Sequence, residues 1–276
     1  YAEGIVDEHL EPVVFLDENG EGYRIDENAG VFFFNFRSDR ARELSARMVE
    51  YGQEKNICFV TLTEYDPEIR ALVAFPQVRP QTTLAEQISK AGLSQAHIAE
   101  TEKYAHATYF LNGGRELPFP GEEQVIVESR KDIQTHDQAP EMRARGIADK
   151  AIEYLERGTD FLFINFANAD MVGHTGNVPA IITAVETVDR ELGRVIRKTL
   201  ERNGIAIITA DHGNAEQNID TKTGETHTAH TTNLVPLVVT APCTLENGTL
   251  ADIAPTALSL MHLPIPKEMT GKILAA

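Results

Sequence analysis

Cysteine is nearly absent from this 276-residue chain: only Cys58 and Cys243 occur, far apart and each inside an apolar run. Two such thiols read as inert core residues, which excludes a disulfide framework and thiolate metal chemistry and points to a reducing compartment. Basic residues are also scarce, with 25 Lys and Arg against 42 Asp and Glu, a formal net charge of -17. That balance excludes a nucleic-acid backbone as partner, which demands a broad basic surface, and leaves any anionic ligand to a few local cations. No apolar run approaches the ~18 residues a membrane helix needs. The opening "YAEGIVDEHLEPVV" lacks both the basic and the apolar region of a secretory leader. These absences predict a soluble, cytoplasmic protein with no membrane partner.

What is present is an alternation of short apolar runs and amphipathic stretches. "VFFFNF" (31–36) reads as a strand, the following "RSDRARELSARMVEYG" as a helix closed by Gly52, and "ICFVTLTEY" (57–65) as a second buried strand. This strand-helix-strand order is the unit of parallel sheets. A looser segment, 66–80, contains Pro76 and Pro80, which bracket the expected domain boundary. Beyond it Thr83-x-x-Glu86 forms a capping box for a short helix ending near Gly92. Next come a strand at 96–99, a helix from Lys103 to Asn112, a strand at 125–127 and a helix opened by Pro140 and stopped by Gly158. Strands at 161–167, 205–210 and 234–241, a long helix at 178–204 and a last helix at 250–262 complete the series. The fold class is α/β.

In such sheets ligands collect at the carboxyl ends of strands. Two of these ends carry Asp/His groups. Asp170 and His174, four apart, share one face if their loop enters a helical turn. Asp211 and His212 are adjacent and can converge only if the chain bends, which Gly213 permits. "THTAH" (226–230) adds two imidazoles, His227 and His230. Each pair alone has a bland alternative, a capping Asp beside a hydrogen-bonded His. Together they favour a borderline-to-hard divalent ion such as manganese or zinc. Arg37 and Arg40, between a strand end and a helix first turn, make an anion site against the alternative of ion pairs to Asp39 or Glu43. Lys103, at a helix start, could reach a phosphate oxygen. His97, His106, His136 and His262 read as ordinary core or surface histidines.

Six blocks in order, "FFFNFRSDRARE", "TEKYAHATYFLNGG", "NFANADMVGHTGN", "TADHGNAE", "HTAHTTNLVPLV" and "MTGKIL", resemble the cofactor-independent phosphoglycerate mutases of the alkaline phosphatase superfamily. The resemblance implies an isomerase that interconverts 3-phosphoglycerate and 2-phosphoglycerate through a phosphoserine, in glycolysis and gluconeogenesis. It implies two Mn2+ or other divalent ions, no 2,3-bisphosphoglycerate, and a monomer acting on a small molecule. By the same resemblance Asp170, His174 and His230 would hold one metal and Asp211 and His212 would belong to the other. Arg37 and Arg40 would grip substrate, and Lys103 would stabilise the transferred phosphoryl group. Residues 1–77 would be the C-terminal part of a substrate-binding transferase domain, and 78–276 an alkaline-phosphatase-like metal-binding domain lacking its N-terminal segment. The chain departs from the family in one respect that bears on activity. It contains no Asp-Ser dipeptide, and none of its six serines (38, 45, 89, 94, 129, 259) matches a nucleophile block. The expectation is a C-terminal portion, inactive alone. Alternatives are another enzyme of the superfamily, a phosphopentomutase or phosphatase, and a non-catalytic metal-binding fragment. Smaller departures, Ser38, Ala169 and His136, touch no proposed ligand.

Overall fold

The structure, a computed structural model, describes residues 11–36, 41–76, 78 and 80–275. The chain divides into two compact units, Tyr1–Val78 and Arg79–Ala276. Arg37 and Arg40 lie outside the described residues.

In the first unit three parallel strands, β1 (Gly30–Phe33), β2 (Cys58–Thr63) and β3 (Leu72–Phe75), form a sheet in the order β1-β2-β3. Helix α1 (Ala41–Lys55) connects the first two. Side chains alternate along β2, so Phe59 and Thr61 are buried while Cys58 is exposed. The expected "VFFFNF" strand stops after Phe33, and Phe34 and Phe36 are 73% and 87% exposed. β3 falls in the segment read as irregular. Helix α1 runs three residues past Gly52, whose carbonyl accepts a hydrogen bond from the Ile57 N–H where the chain turns back toward β2. Neither cysteine is a core residue: Cys58 is exposed, Cys243 half-buried, and both are free. A run of apolar neighbours does not bury a residue when the strand alternates.

In the second unit, parallel strands β4 (Gln95–Glu100), β5 (Glu122–Val127) and β6 (Phe161–Ile164) pair in the order β5-β4-β6. All six residues of the central β4 are buried, the polar Gln95, His97 and Glu100 included. Helix α2 (Leu84–Lys90) begins at Thr83, whose hydroxyl accepts from the Glu86 N–H at 3.2 Å as its sequence predicts. Helices α3 (Ala144–Arg157), α4 (Asn168–Gly173) and α5 (Val178–Glu201) build two apolar clusters. Ala96 and Ile98 of β4 pack with Ile147, Ala151 and Val195, and Val172 of α4 packs with Ile181 and Ala184 of α5. Helix α3 starts at Ala144, not Pro140, because the intervening chain is irregular: Met142 has φ +42° and the Pro140 carbonyl is held by Asn168 Nδ2 at 2.9 Å.

The regular helix expected from Lys103 to Asn112 is instead a tight turn at Thr101–Lys103 followed by a widened π-type turn at His106–Phe110. Asn112 closes it by donating to both oxygens of the buried Glu122 on β5, at 2.8 and 3.0 Å. The strands expected at 205–210 and 234–241 shrink to β7 (Ile207–Ile208) and β8 (Val238–Val239), paired antiparallel, with Leu234 fully exposed. Helix α6 (Ile253–Leu260) follows a capping box at Thr249 and Asp252.

Candidate metal centre

Ile98 of β4 lies beside Ile164 of β6, so the carboxyl ends of two parallel strands emerge together. Three residues beyond Glu100 comes Lys103, and six beyond Ile164 comes Asp170. They meet, with Lys103 Nζ 2.5 Å from Asp170 Oδ2 and both side chains 15% exposed. The chain after β6 does enter a helix, α4, and the His174 N–H closes its last turn on the Asp170 carbonyl at 3.1 Å. Asp170 and His174 therefore share a face. His174 Nε2 is 3.1 Å from Asp170 Oδ1, and His230 Nε2 is 3.1 Å from each of those two atoms.

Three donor atoms at mutual distances near 3 Å fit one ion, since metal–nitrogen and metal–oxygen bonds of about 2.0–2.2 Å place neighbouring ligands roughly that far apart. The chemistry of the set agrees. The Thr228 carbonyl lies 2.7 Å from His174 Nδ1, so the ring's proton sits at Nδ1 and the Nε2 lone pair faces the cluster. Burial lowers the His230 pKa below the usual histidine value and the neighbouring His212 lowers it further, which keeps a second lone pair available. Burial by itself would raise the Asp170 carboxyl, but Lys103 and the two imidazoles outweigh it and hold the group below the ordinary range. Two imidazoles and a carboxylate, without sulfur, suit a borderline-to-hard divalent cation.

Among the described residues, this is the one group of three that converges in this way. Asp211 and His212 stand next to it rather than in it. The chain bends at these two residues. His212 Nε2 is 3.5 Å from the exposed Asp211 Oδ2, and the His212 ring stacks on His230 at 3.7 Å with 21° between planes. Gly213 is there for a reason other than the expected backbone freedom, since its φ is not positive. A Cβ would come within 2.2 Å of Thr231 Oγ1 and 2.3 Å of Glu216 Oε1. His227, the other imidazole of its loop, turns away, with Nδ1 3.2 Å from the Gln217 carbonyl.

Reading by residue type overlooked three side chains. Asn214 Nδ2 donates to Asp170 Oδ1 at 3.1 Å. Glu216 pins the corner, accepting from the Asn214 N–H at 2.6 Å, from the Thr231 hydroxyl and from Asn233 Nδ2 at 2.9 Å. His106 feels the charges of Lys103, Asp211, Asp170 and His212, and its pKa is lowered first by burial and then by Lys103. The only sequence signal for Asn214 and Glu216 was their place in "DHGNAE", directly after the bend.

The family described as "Metalloenzyme superfamily" matches residues 44–265, and "BPG-independent PGAM N-terminus (iPGM_N)" matches residues 1–67. A 2,3-bisphosphoglycerate-independent phosphoglycerate mutase of Moorella thermoacetica is 47% identical over 99% of this chain and 55% of its own length. That of Thermomicrobium roseum is 44% identical over 99% and 56%. The chain thus spans about half the length of the curated relatives it matches. The structure titled "Crystal structures of Leishmania mexicana phosphoglycerate mutase at low cobalt concentration" superposes with a TM-score of 0.74 at 28% identity, over 95% of this chain and 53% of that one. Because the superfamily match takes in well over half of the residues, and the ligand cluster lies inside it, the chain belongs to the metalloenzyme superfamily.

Proposed function

We propose that this chain is part of a 2,3-bisphosphoglycerate-independent phosphoglycerate mutase that interconverts 3-phosphoglycerate and 2-phosphoglycerate. The observation that carries the reading is the Asp170, His174 and His230 cluster at paired strand ends, in a chain 47% identical to such mutases. Asp170, His174 and His230 would hold one divalent ion, and Asp211 and His212 would contribute to a second. When bound, the ions supply charge neutralisation and Lewis acidity for phosphoryl oxygens. Phosphoryl transfer asks a protein mainly for positioning and electrostatic stabilisation.

The chain's own groups meet that requirement in stages. Lys103 donates to Asp170 Oδ2, so its ammonium is fixed beside the ligand cluster, where it could hold a phosphoryl oxygen. His174 Nδ1 holds its proton against Thr228, which leaves Nε2 free as a ligand. Arg37 and Arg40 would grip the carboxylate or phosphate of substrate through their forked donors. By the family resemblance the nucleophile would not be among this chain's six serines, none of which follows an Asp or stands in a nucleophile block. A phosphoserine route therefore needs a hydroxyl from elsewhere in the protein, and the 276 residues alone would not turn over. Residues 1–77 would belong to the glycerate-binding domain and 78–276 to the metal-binding one, an assignment supported by the division into compact units. No described helix is long and apolar enough to cross a membrane, and a glycolytic role would place the protein in the cytoplasm.

The test is turnover of 3-phosphoglycerate by the full-length protein, abolished by chelator and restored by Mn2+. Preference for ribose phosphate, or plain phosphate release, would instead favour a phosphopentomutase or phosphatase. Metal content of His174→Ala and Asp211→Ala should fall in both, and unchanged stoichiometry in both would refute the ligand assignment.

A further inference from the structure

Within the metal reading given above, we infer that Asn214 is a positioning residue that fixes the orientation of Asp170 and links it to the corner bearing Asp211 and His212. A carboxylate bound by one oxygen rotates freely about χ2 unless its other contacts prevent it. Asp170 is held at both ends, with Lys103 on Oδ2 at 2.5 Å and Asn214 Nδ2 on Oδ1 at 3.1 Å. The oxygen that Asn214 holds is the one that faces His174 and His230. The same amide nitrogen lies 3.5 Å from each ring nitrogen of His174.

The amide is itself tightly placed. Asn214 is buried, and its backbone N–H is bound by Glu216, which also binds Thr231, the neighbour of His230. Its side chain fits a slot that exists because residue 173 is glycine: a Cβ there would lie 2.2 Å from Asn214 Oδ1. That Oδ1 is buried without a hydrogen-bond partner. Buried polar atoms are nearly always satisfied, and an orphaned one costs stability. An apolar side chain of the same shape would avoid that cost, so the presence of an amide is explained by what its nitrogen donates. One donor thus joins two ligand groups that come from different strand ends.

Groups that orient metal ligands typically change metal affinity by about 10- to 100-fold when removed. The experiment is calorimetric titration of the full-length protein and its variants with Mn2+ and Zn2+, with visible absorption of the Co2+-loaded forms as a readout of ligand geometry. Asn214→Leu fills the slot without a donor, and Asn214→Ala empties it. Both should bind metal about 10- to 100-fold more weakly, with an altered Co2+ spectrum, while circular dichroism of the metal-free proteins matches wild type. Gly173→Ala, which displaces the amide without changing Asn214, should act in the same direction. Wild-type affinity and spectrum in Asn214→Ala would overturn the inference while leaving the metal reading intact. A wild-type chain that binds neither ion would overturn the metal reading, and this inference with it.

Discussion

Three carboxylates, buried Glu100, half-buried Asp170 and exposed Glu216, are all pushed upward by burial and titrate differently because of what faces them. Asp170 has an ammonium and two imidazoles, and Glu216 has hydroxyl and amide donors; in both, these contacts outweigh burial and the pKa falls. Glu100, at the end of β4, has burial as its dominant influence, opposed mainly by hydrogen bonds such as that from the Arg143 N–H at 3.3 Å, and its pKa rises. A carboxyl whose folded pKa lies above its unfolded value favours folding while protonated. That contribution is lost as pH rises from the unfolded carboxyl range through the folded pKa. Glu100→Gln keeps an acceptor for Arg143 and removes the charge. The variant should melt above wild type at neutral pH, with the advantage shrinking as pH falls into the carboxylate range. Melting curves from pH 4 to 8 check this, and a gap independent of pH would contradict it. Residue type marked Asp170, His174, Asp211, His212, His227 and His230 alike, because carboxylate and imidazole advertise metal chemistry, and it was the family resemblance that set His230 with Asp170 and His174. Residue type was silent on Asn214, since an amide has no chemistry until its partner is known.

At the scale of elements, the caps at Thr83 and Gly158 were read well, the helix limits at Gly52 and Pro140 were not, and long-range signals were read poorly. Gly158 illustrates the first kind. It sits at φ +83°, and its N–H reaches the Leu155 carbonyl while the Thr159 N–H reaches Tyr154, the paired bonds that close a helix with a left-handed residue. Alanine there should destabilise the protein by about 1–2 kcal/mol, the cost of a left-handed Cβ, measured as a shift in denaturant midpoint at constant m-value. The caps at Thr83 and Gly158 depend on residues within one turn, so sequence alone suffices. Strand lengths do not. β7 and β8 pair over two residues each although their apolar runs are longer, and "VFFFNF" loses its last residues to solvent, because pairing depends on which neighbour the tertiary fold supplies. The widened turn at 106–110 was equally hidden, as the composition of "HATYF" does not distinguish it from an ordinary helix.

At the scale of the molecule, a strongly acidic chain holds its candidate ligands in one unit, Arg79–Ala276, whose core lies around β4. The ligands are spread along the sequence: Asp170 and His174 belong to the turns following β6, and His230 to a loop some sixty residues later. An ion bridging them would close a loop of chain between residues 174 and 230, and would bind the folded unit in preference to the unfolded one. Anything that binds only the native state stabilises it, by about 2.7 kcal/mol when the free ligand stands at a hundred times its Kd. Mn2+ should therefore raise the melting temperature of the wild-type chain in a concentration-dependent way, and chelator should reverse the rise. His174→Ala removes one of three converging donors without touching the apolar clusters, so its metal-free melting should stay close to wild type while the metal-induced rise largely disappears. An equal metal-induced rise in wild type and His174→Ala would mean that the stabilising ion binds elsewhere, among the many exposed carboxylates, and not at the strand ends where the ligands meet.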